Sequence, residues 1–500
     1  MKTKKFAVLL FTLILALGLF PMGVFAASST VTATSTASIT INNAVENDVL
    51  KAYKVVDITY NEASNHVSYA WNSAFADYFA GTTSYNATAY TVEQFAALTD
   101  DSDDLKNVLA GLPKYIADNN IDAAKTATVG EGGTATFANL AMGEYFIRPS
   151  STTSVYQLML QKIEPKVEED SEGNPHYVIE DVTFTAKKEE VTITKTADKT
   201  SVTKNEKVAY TVAVDIPTYS AEATDKTIYV SDLLPDGLTI DTDSINVKIG
   251  GTAVDSNAYT LDITATSTYT FKLSVSTQQY TNSWTNQGGN KLVITYTATL
   301  NNDNTTEVNV IETNTATFDY SFYPYVENSH KQKTDKVDVT TFAIKIDKYV
   351  AGSHATKLAD AKFDLYRTAT DAEIAAGVTE NIPHTTINGI KLESDVVTND
   401  SGVATFEKYE ANGTKYDYYL VETQAPNGYN ILAKAVKVKF TDTDVKATDG
   451  VYTVKVPNSS GITLPITGDE GIVIFTVIGI AFMGGAVILF VLFHKKAKAN

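Results

Sequence analysis

The chain has 500 residues, a formal net charge of −19, 44% hydrophobic residues and no cysteine. The lack of cysteine excludes disulfides, thiolate metal sites and cysteine nucleophiles together, and an acidic balance without a Lys/Arg cluster between the two ends argues against nucleic-acid binding. Six histidines stand singly, without HExxH or paired spacing, and no Gly-rich phosphate loop occurs, so neither a metal site nor a cofactor is expected.

Export is the first expectation along the chain. Lys2, Lys4 and Lys5 precede the apolar run Phe6 to Phe20, and Val24-Phe25-Ala26 ends in a small residue suited to cleavage, so residues 1–26 read as a secretory signal peptide. With both apolar ends set aside, about 440 residues remain, enough for roughly two to four domains.

A first domain is expected over residues 27–186. Thr91 and Gln94 have the spacing of a capping box, and Leu105, Val108, Leu109 and Leu112 recur at helix spacing before an expected break near Pro113. The acidic run Lys166 to Pro175 interrupts the strands near the domain's end, and the charged Lys187 to Glu190 opens a middle domain over 187–336. There, Val208, Tyr210, Val212, Val214 and Ile216 share one parity, as do Leu292, Ile294, Tyr296, Ala298 and Leu300. A period of two means half-buried antiparallel strands. The polar break Glu327 to Lys336 precedes a third domain over 337–460. Frequent Thr, Val and Tyr with scarce helical periodicity predict an all-β chain of tandem immunoglobulin-like β-sandwiches, the first with added short helices. Gly133 to Phe137 (Gly-Thr-Ala-Thr-Phe) and Gly402 to Phe406 (Gly-Val-Ala-Thr-Phe) suggest similar sandwiches at both ends.

Residues 461–500 read as a separate signal. Leu464-Pro465-Ile466-Thr467-Gly468 is followed by the uncharged segment 471–493 and a basic tail, 494–500, with Lys495, Lys496 and Lys498. At about 1.5 Å per residue the segment is long enough to cross a hydrocarbon core of roughly 30 Å, so a C-terminal transmembrane helix is expected in the precursor. Its basic tail would stay cytoplasmic. The arrangement resembles the LPxTG sorting signal of Gram-positive surface proteins, in which a sortase cysteine cuts between Thr and Gly and keeps the threonyl carbonyl as a thioester. That resemblance makes Leu464, Pro465, Thr467 and Gly468 the recognition and cleavage residues, with Thr467 the acyl donor. The pentapeptide alone could be a loop and the apolar run a permanent anchor, but pentapeptide, span and basic tail in this order favour the sorting signal.

The third domain carries a further resemblance. Lys357-Leu358-Ala359-Asp360-Ala361-Lys362-Phe363-Asp364-Leu365-Tyr366 and Tyr419-Leu420-Val421-Glu422-Thr423-Gln424-Ala425-Pro426-Asn427-Gly428-Tyr429 are similar to the "LAGAxFxLY" strand and the "E-box" of the collagen-adhesin B-type domain of Gram-positive pilins. Independently, Lys348 shares parity with Phe342, Ile344 and Ile346, and Lys195 with Val191 and Ile193; a lysine facing a core needs a partner or neutrality. The pilin resemblance implies that each bonds to an asparagine on its domain's last strand beside a promoting carboxylic acid. The trios would be Lys348, Glu422 and Asn458, and Lys195, Asp232 and Asn314, with Glu206 and Glu312 as rivals to Asp232. Burial leaves a neutral amine nucleophile and a protonated acid to polarise the amide, which forms with loss of ammonia. An ordinary buried ion pair would account for the same residues without reaction. In the first domain Glu144 occupies the repeat position of Glu422's strand, yet no lysine and asparagine stand out, and no bond is expected.

The whole chain resembles a major shaft pilin of a sortase-assembled Gram-positive pilus. That implies a structural protein rather than an enzyme, polymerised head-to-tail by a class C pilus sortase and transferred to peptidoglycan by a housekeeping sortase. Implied partners are other copies of the chain, minor pilins and a host surface ligand in adhesion. The acceptor would be a lysine of the next copy. Gln161-Lys162-Ile163-Glu164-Pro165-Lys166-Val167 is similar to the YPKN pilin motif in its Pro-Lys core, with Glu164 and Val167 in place of tyrosine and asparagine. It implies Lys166, with Lys162 and Lys187 as alternatives. A monomeric wall-anchored adhesin or a base or tip pilin is the competing reading. An extracellular hydrolase lacks a triad or metal constellation.

Overall fold

A computed structural model describes residues 31–461 except 82–84, 86–88, 99–101, 152–153, 302–310, 328, 412–415 and 447. The expected signal peptide, the pentapeptide 464–468, the segment 471–493 and the basic tail lie outside the described residues. Among the described residues no helix is long and apolar enough to cross a membrane. Strands dominate, and two compact units divide near Val339/Thr340, with Ser201–Lys204 belonging to the second.

The first unit holds two sandwiches. In the first, Thr36–Asn42 lies between Val182–Thr185, in parallel, and Ala135–Ala141. The facing sheet runs His66–Trp71, Val49–Asn61, Gly143–Ser151, Met159–Ile163. Ile39, Ile41, Phe137, Tyr145 and Ile147 share one core. The capping box forms as the spacing requires: Thr91 accepts from the Gln94 backbone at the start of helix Val92–Ala96. Helix Asp103–Asp118 does not break at Pro113. Proline removes one backbone donor, but Tyr115 and Ile116 beyond it are buried, and their packing continues the helix. Lys188–Glu190 pairs with Ser154–Tyr156, so the first domain's strand pairing runs to Glu190 rather than ending at 186.

The middle sandwich has two five-stranded sheets. One orders Ile193–Ala197, Lys207–Asp215, Lys291–Leu300, Leu238–Ile249 and Thr252–Ala253; the other Thr260–Asp262, Phe271–Val275, Ile228–Leu233, Ile311–Ser321 and His330–Thr340. The alternating residues Val208, Tyr210, Val212 and Val214, with Leu292, Ile294 and Tyr296, are buried as their parity requires. Glu327 to Lys336 is not a linker throughout. His330–Thr340 is the outer strand of the second sheet, its side chains half-buried or exposed apart from the buried Val339, which suits its polar sequence.

In the second unit, Phe342–Val350 pairs with Ser353–Lys357, Val403–Tyr409 and, in parallel, Val451–Asn458. The opposing sheet runs Glu380–Asn381, Asn388–Val397, Lys362–Thr368, Tyr418–Gln424, Val436–Val438. Phe342, Ile344, Ile346, Phe363, Leu365, Phe406 and Leu420 form its core.

Candidate functional site

In the second unit the three expected residues meet. Lys348 and Asn458 come from parallel neighbours of one sheet, and Glu422 reaches in from the other. Lys348 Nζ donates to Asn458 Oδ1 and lies 2.9 Å from Glu422 Oε1. Asn458 Nδ2 donates to Glu422 Oε1 at 2.9 Å and to the Asn430 carbonyl at 2.9 Å. Both charged side chains are 0% exposed. Burial pushes the Lys348 ammonium below its ordinary range, against the opposing pull of Glu422. The Leu432 N–H donates to Glu422 Oε2 at 2.8 Å, which orients the carboxyl. A lysine driven toward neutrality, touching an amide held by a carboxyl group, is an arrangement for amide exchange.

The middle domain builds its trio differently. Lys195 sits on one sheet; Asp232 and Asn314 sit on the other. Asn314 is on Ile311–Ser321, not on the last strand, because His330–Thr340 follows it. A bond here would tie sheet to sheet rather than first strand to last. Lys195 Nζ pairs with Asp232 Oδ2, and all three side chains are buried. Burial lowers the lysine and raises the aspartic acid from their ordinary values, each partner opposing the other's shift. Of the rival acids, Glu206 pairs with Lys199 at 3.8 Å, and Glu312 fills the space beside Gly237.

The strand pattern marks Tyr296 only as a core residue. Its hydroxyl accepts from Lys195 Nζ at 2.9 Å and from Asn314 Nδ2 at 2.7 Å, and donates to Asp232 Oδ1 at 2.8 Å. Its parity with Leu292 and Ile294 marked the ring as buried; nothing in the pattern marked where the hydroxyl would point. In the first domain, Glu144 is buried on Gly143–Ser151. Neither Thr36–Asn42 nor its parallel partner Val182–Thr185 contains a lysine.

The lysines weighed as acceptor differ in setting. Lys166 opens a hairpin, Lys166–Glu169 against Pro175–Val178; its side chain is 59% exposed and 2.7 Å from Glu180. Lys162 is 2.7 Å from Glu164. Lys187 follows the strand Val182–Thr185 and lines a cavity of about 690 Å³, together with Leu158, Leu160, Phe184, Tyr219 and Tyr325. Among the described residues, its buried Nζ has no hydrogen-bond partner. No motif marks Lys187; its place between the strands Val182–Thr185 and Lys188–Glu190, near the expected domain boundary, was the available signal.

Residues 342–453 match the prealbumin-like fold domain of the SpaA type, and residues 456–498 match the LPXTG cell wall anchor motif. The described fold is similar to the T6 backbone pilin of serotype M6 Streptococcus pyogenes, at 20% identity, covering 83% of this chain and 81% of that one with a TM-score of 0.54. It is also similar to the full-length major pilin SpaD of Corynebacterium diphtheriae, at 17% identity over 87% of this chain and 100% of that one, with a TM-score of 0.52. Fimbrial subunit type 1 of Actinomyces viscosus is 30% identical over 152 residues, 27% of this chain; the chain spans 28% of that relative's length. The fold is thus that of these backbone pilins. Residues 456–498 add the LPXTG cell wall anchor motif to that fold.

Proposed function

We propose that the chain is the shaft subunit of a covalent pilus, with a role in adhesion and colonisation. The observation that carries this reading is the pair of buried lysine, acid and asparagine trios in successive sandwiches upstream of the anchor motif. In each, the neutral amine attacks the asparagine Cγ, the amide nitrogen leaves as ammonia, and Glu422 or Asp232 moves the proton between them. The Lys348–Asn458 and Lys195–Asn314 bonds would take the place of disulfides in a cysteine-free chain and resist reduction. Polymerisation joins the Thr467 carbonyl of one copy, activated by a class C sortase at Leu464 to Gly468, to a lysine of the next. Contacts of this heterologous kind propagate as an open filament. The housekeeping sortase ends growth by transfer to peptidoglycan, and minor pilins and a host ligand complete the partners.

The motif resemblance favours Lys166 as acceptor, whereas the setting favours Lys187. An acceptor must give up a free amine at the end of a chain-binding groove. Lys166 is held by Glu180, while the Lys187 amine, in an apolar-walled cavity, is unpaired among the described residues. Ile462, Leu464, Pro465 and Ile466 of a neighbouring copy supply a matching apolar segment ending at Thr467. We therefore place the acceptor at Lys187 and keep Lys166 as the second reading.

Anti-subunit blots of cell-wall extracts decide between them. The wild type and Lys166→Ala are expected to give a high-mass ladder, and Lys187→Ala to give monomer. A ladder lost in Lys166→Ala but kept in Lys187→Ala returns the role to Lys166. No ladder in the wild type leaves a monomeric wall-anchored adhesin or a minor pilin.

A further inference from the structure

We infer that Tyr296 is a catalytic residue of amide formation in the middle domain, its hydroxyl relaying the proton that lets the Asn314 nitrogen depart as ammonia. This rests on the proposed Lys195–Asn314 bond.

The two trios differ in how the acid reaches the amide. In the second unit Glu422 accepts directly from Asn458 Nδ2, and the ring beside Lys348 Nζ is that of Phe363, which has no hydroxyl. In the middle domain the acid is an aspartate, shorter by one methylene; Asn314 Nδ2 donates to the Tyr296 hydroxyl at 2.7 Å, and the Asn314 side chain also interacts with Asp232. One oxygen therefore touches the nucleophile, the leaving nitrogen and the acid, all within 2.9 Å. The position is fixed by packing. Tyr296 pairs with Tyr210 across the strands and stacks on it at 5.3 Å, with Phe271 of the other sheet edge-on at 5.2 Å. Burial and the Asp232 charge hold the phenol well above its ordinary range, so it stays protonated and passes protons without ionising.

The step balances. Transfer of one proton from the Lys195 ammonium to Asp232 gives a neutral amine and a neutral acid. The Nζ–Cγ bond forms, and Nζ loses one proton to Asp232 Oδ2. Asp232 Oδ1 passes a proton to the Tyr296 oxygen, which gives its own to Nδ2. The Cγ–Nδ2 bond then breaks, ammonia leaves, and both Tyr296 and Asp232 end protonated as they began the addition. No oxidant or further reactant is needed.

The test follows ammonia loss by intact mass after pulse synthesis of residues 27–467, with peptide mapping to assign each bond. Wild type is expected to lose two ammonias. Tyr296→Phe, which keeps the ring, is expected to lose the Lys348–Asn458 ammonia at the wild-type rate and the Lys195–Asn314 ammonia roughly a hundredfold more slowly, the scale of a lost proton-transfer group. In the wild type the middle-domain loss should slow measurably in D2O, a readout that does not depend on the variant folding. A wild-type rate in Tyr296→Phe, or no slowing in D2O, overturns the relay. A wild type that never forms the Lys195–Asn314 bond overturns the parent reading instead.

Discussion

Lys348 and Asn458 lie on parallel neighbouring strands with amine against amide oxygen, although Lys348 is in register with Val456 and Asn458 with Val350. The two-residue offset is what a long lysine side chain needs to lie along its neighbour and meet a short one. Phe342–Val350 opens the domain and Val451–Asn458 closes it, so a bond between them would hold together the two strands on which tension along the chain pulls. The Lys195–Asn314 contact region joins two sheets through the core instead.

Glu422→Gln tests the acid of the second unit. Gln keeps the shape but neither takes up nor returns a proton, so intact mass should show one ammonia fewer lost than in wild type. Lys348 and Asn458 are 110 residues apart. Releasing a cross-link over a loop of that length removes about 4–5 kcal/mol in the chain-entropy account, a fall in Tm on the order of 15 °C for such a domain. Calorimetry of the variant should show the loss in one transition, with the other unchanged.

Lys195→Met separates burial from pairing at Asp232. The acid is raised above its ordinary value by burial, and Lys195 is the largest opposing influence. Without the lysine the folded state holds the Asp232 proton more tightly still. A raised folded pKa means stability is fully present below the unfolded value and falls as pH rises through the folded one. Urea titrations of Lys195→Met should thus show greater stability near pH 4 than near pH 7. The double variant Lys195→Met/Asp232→Asn should lose that slope.

How much of this was legible beforehand depends on the residue. Parity alone marked Lys195 and Lys348 as inward-facing, since a strand's period of two leaves no other face. The polar break expected over Glu327 to Lys336 falls largely on the strand His330–Thr340, because an edge strand whose side chains are half-buried or exposed apart from Val339 carries little hydrophobic alternation. Local rules place a stop at Pro113, yet helix Asp103–Asp118 passes through it, because tertiary burial of Tyr115 and Ile116 is invisible to those rules. Tyr296 was missed for a related reason: the pattern reports which face a side chain takes, not which partners its far end meets. Lys187 is in the same position, its cavity being built by segments distant in sequence.

His330 predicts a second pH dependence. Its Nδ1 lies 2.5 Å from Asp319 and its Nε2 3.1 Å from Asp225. Although burial opposes it, these two carboxylates raise the imidazole from 6.5 to about 9. The folded chain keeps the proton where the unfolded chain has lost it, so the stabilisation is complete below about pH 6.5 and declines as pH rises toward about 9. Denaturant midpoints for the first unit should fall over that window. In His330→Gln the decline should be absent, and the midpoint at pH 6 should lie below that of wild type.

Gly402 supplies the final prediction, because it couples a turn to the Lys348 strand. Its φ is +71°, and an added Cβ would lie 2.3 Å from the Lys348 carbonyl oxygen, backbone against backbone. The Lys348 N–H donates to the Gly402 carbonyl at 2.7 Å, so the two residues cannot separate without losing that bond. Gly402→Ala therefore meets a left-handed conformation and a clash at once, costing about 1–3 kcal/mol, and any relief moves the lysine away from Asn458. Intact mass after pulse synthesis should show the Lys348–Asn458 ammonia lost more slowly than in wild type, with the Lys195–Asn314 loss unaltered. Equal rates for both bonds would mean that Lys348 reaches Asn458 without help from the Gly402 turn.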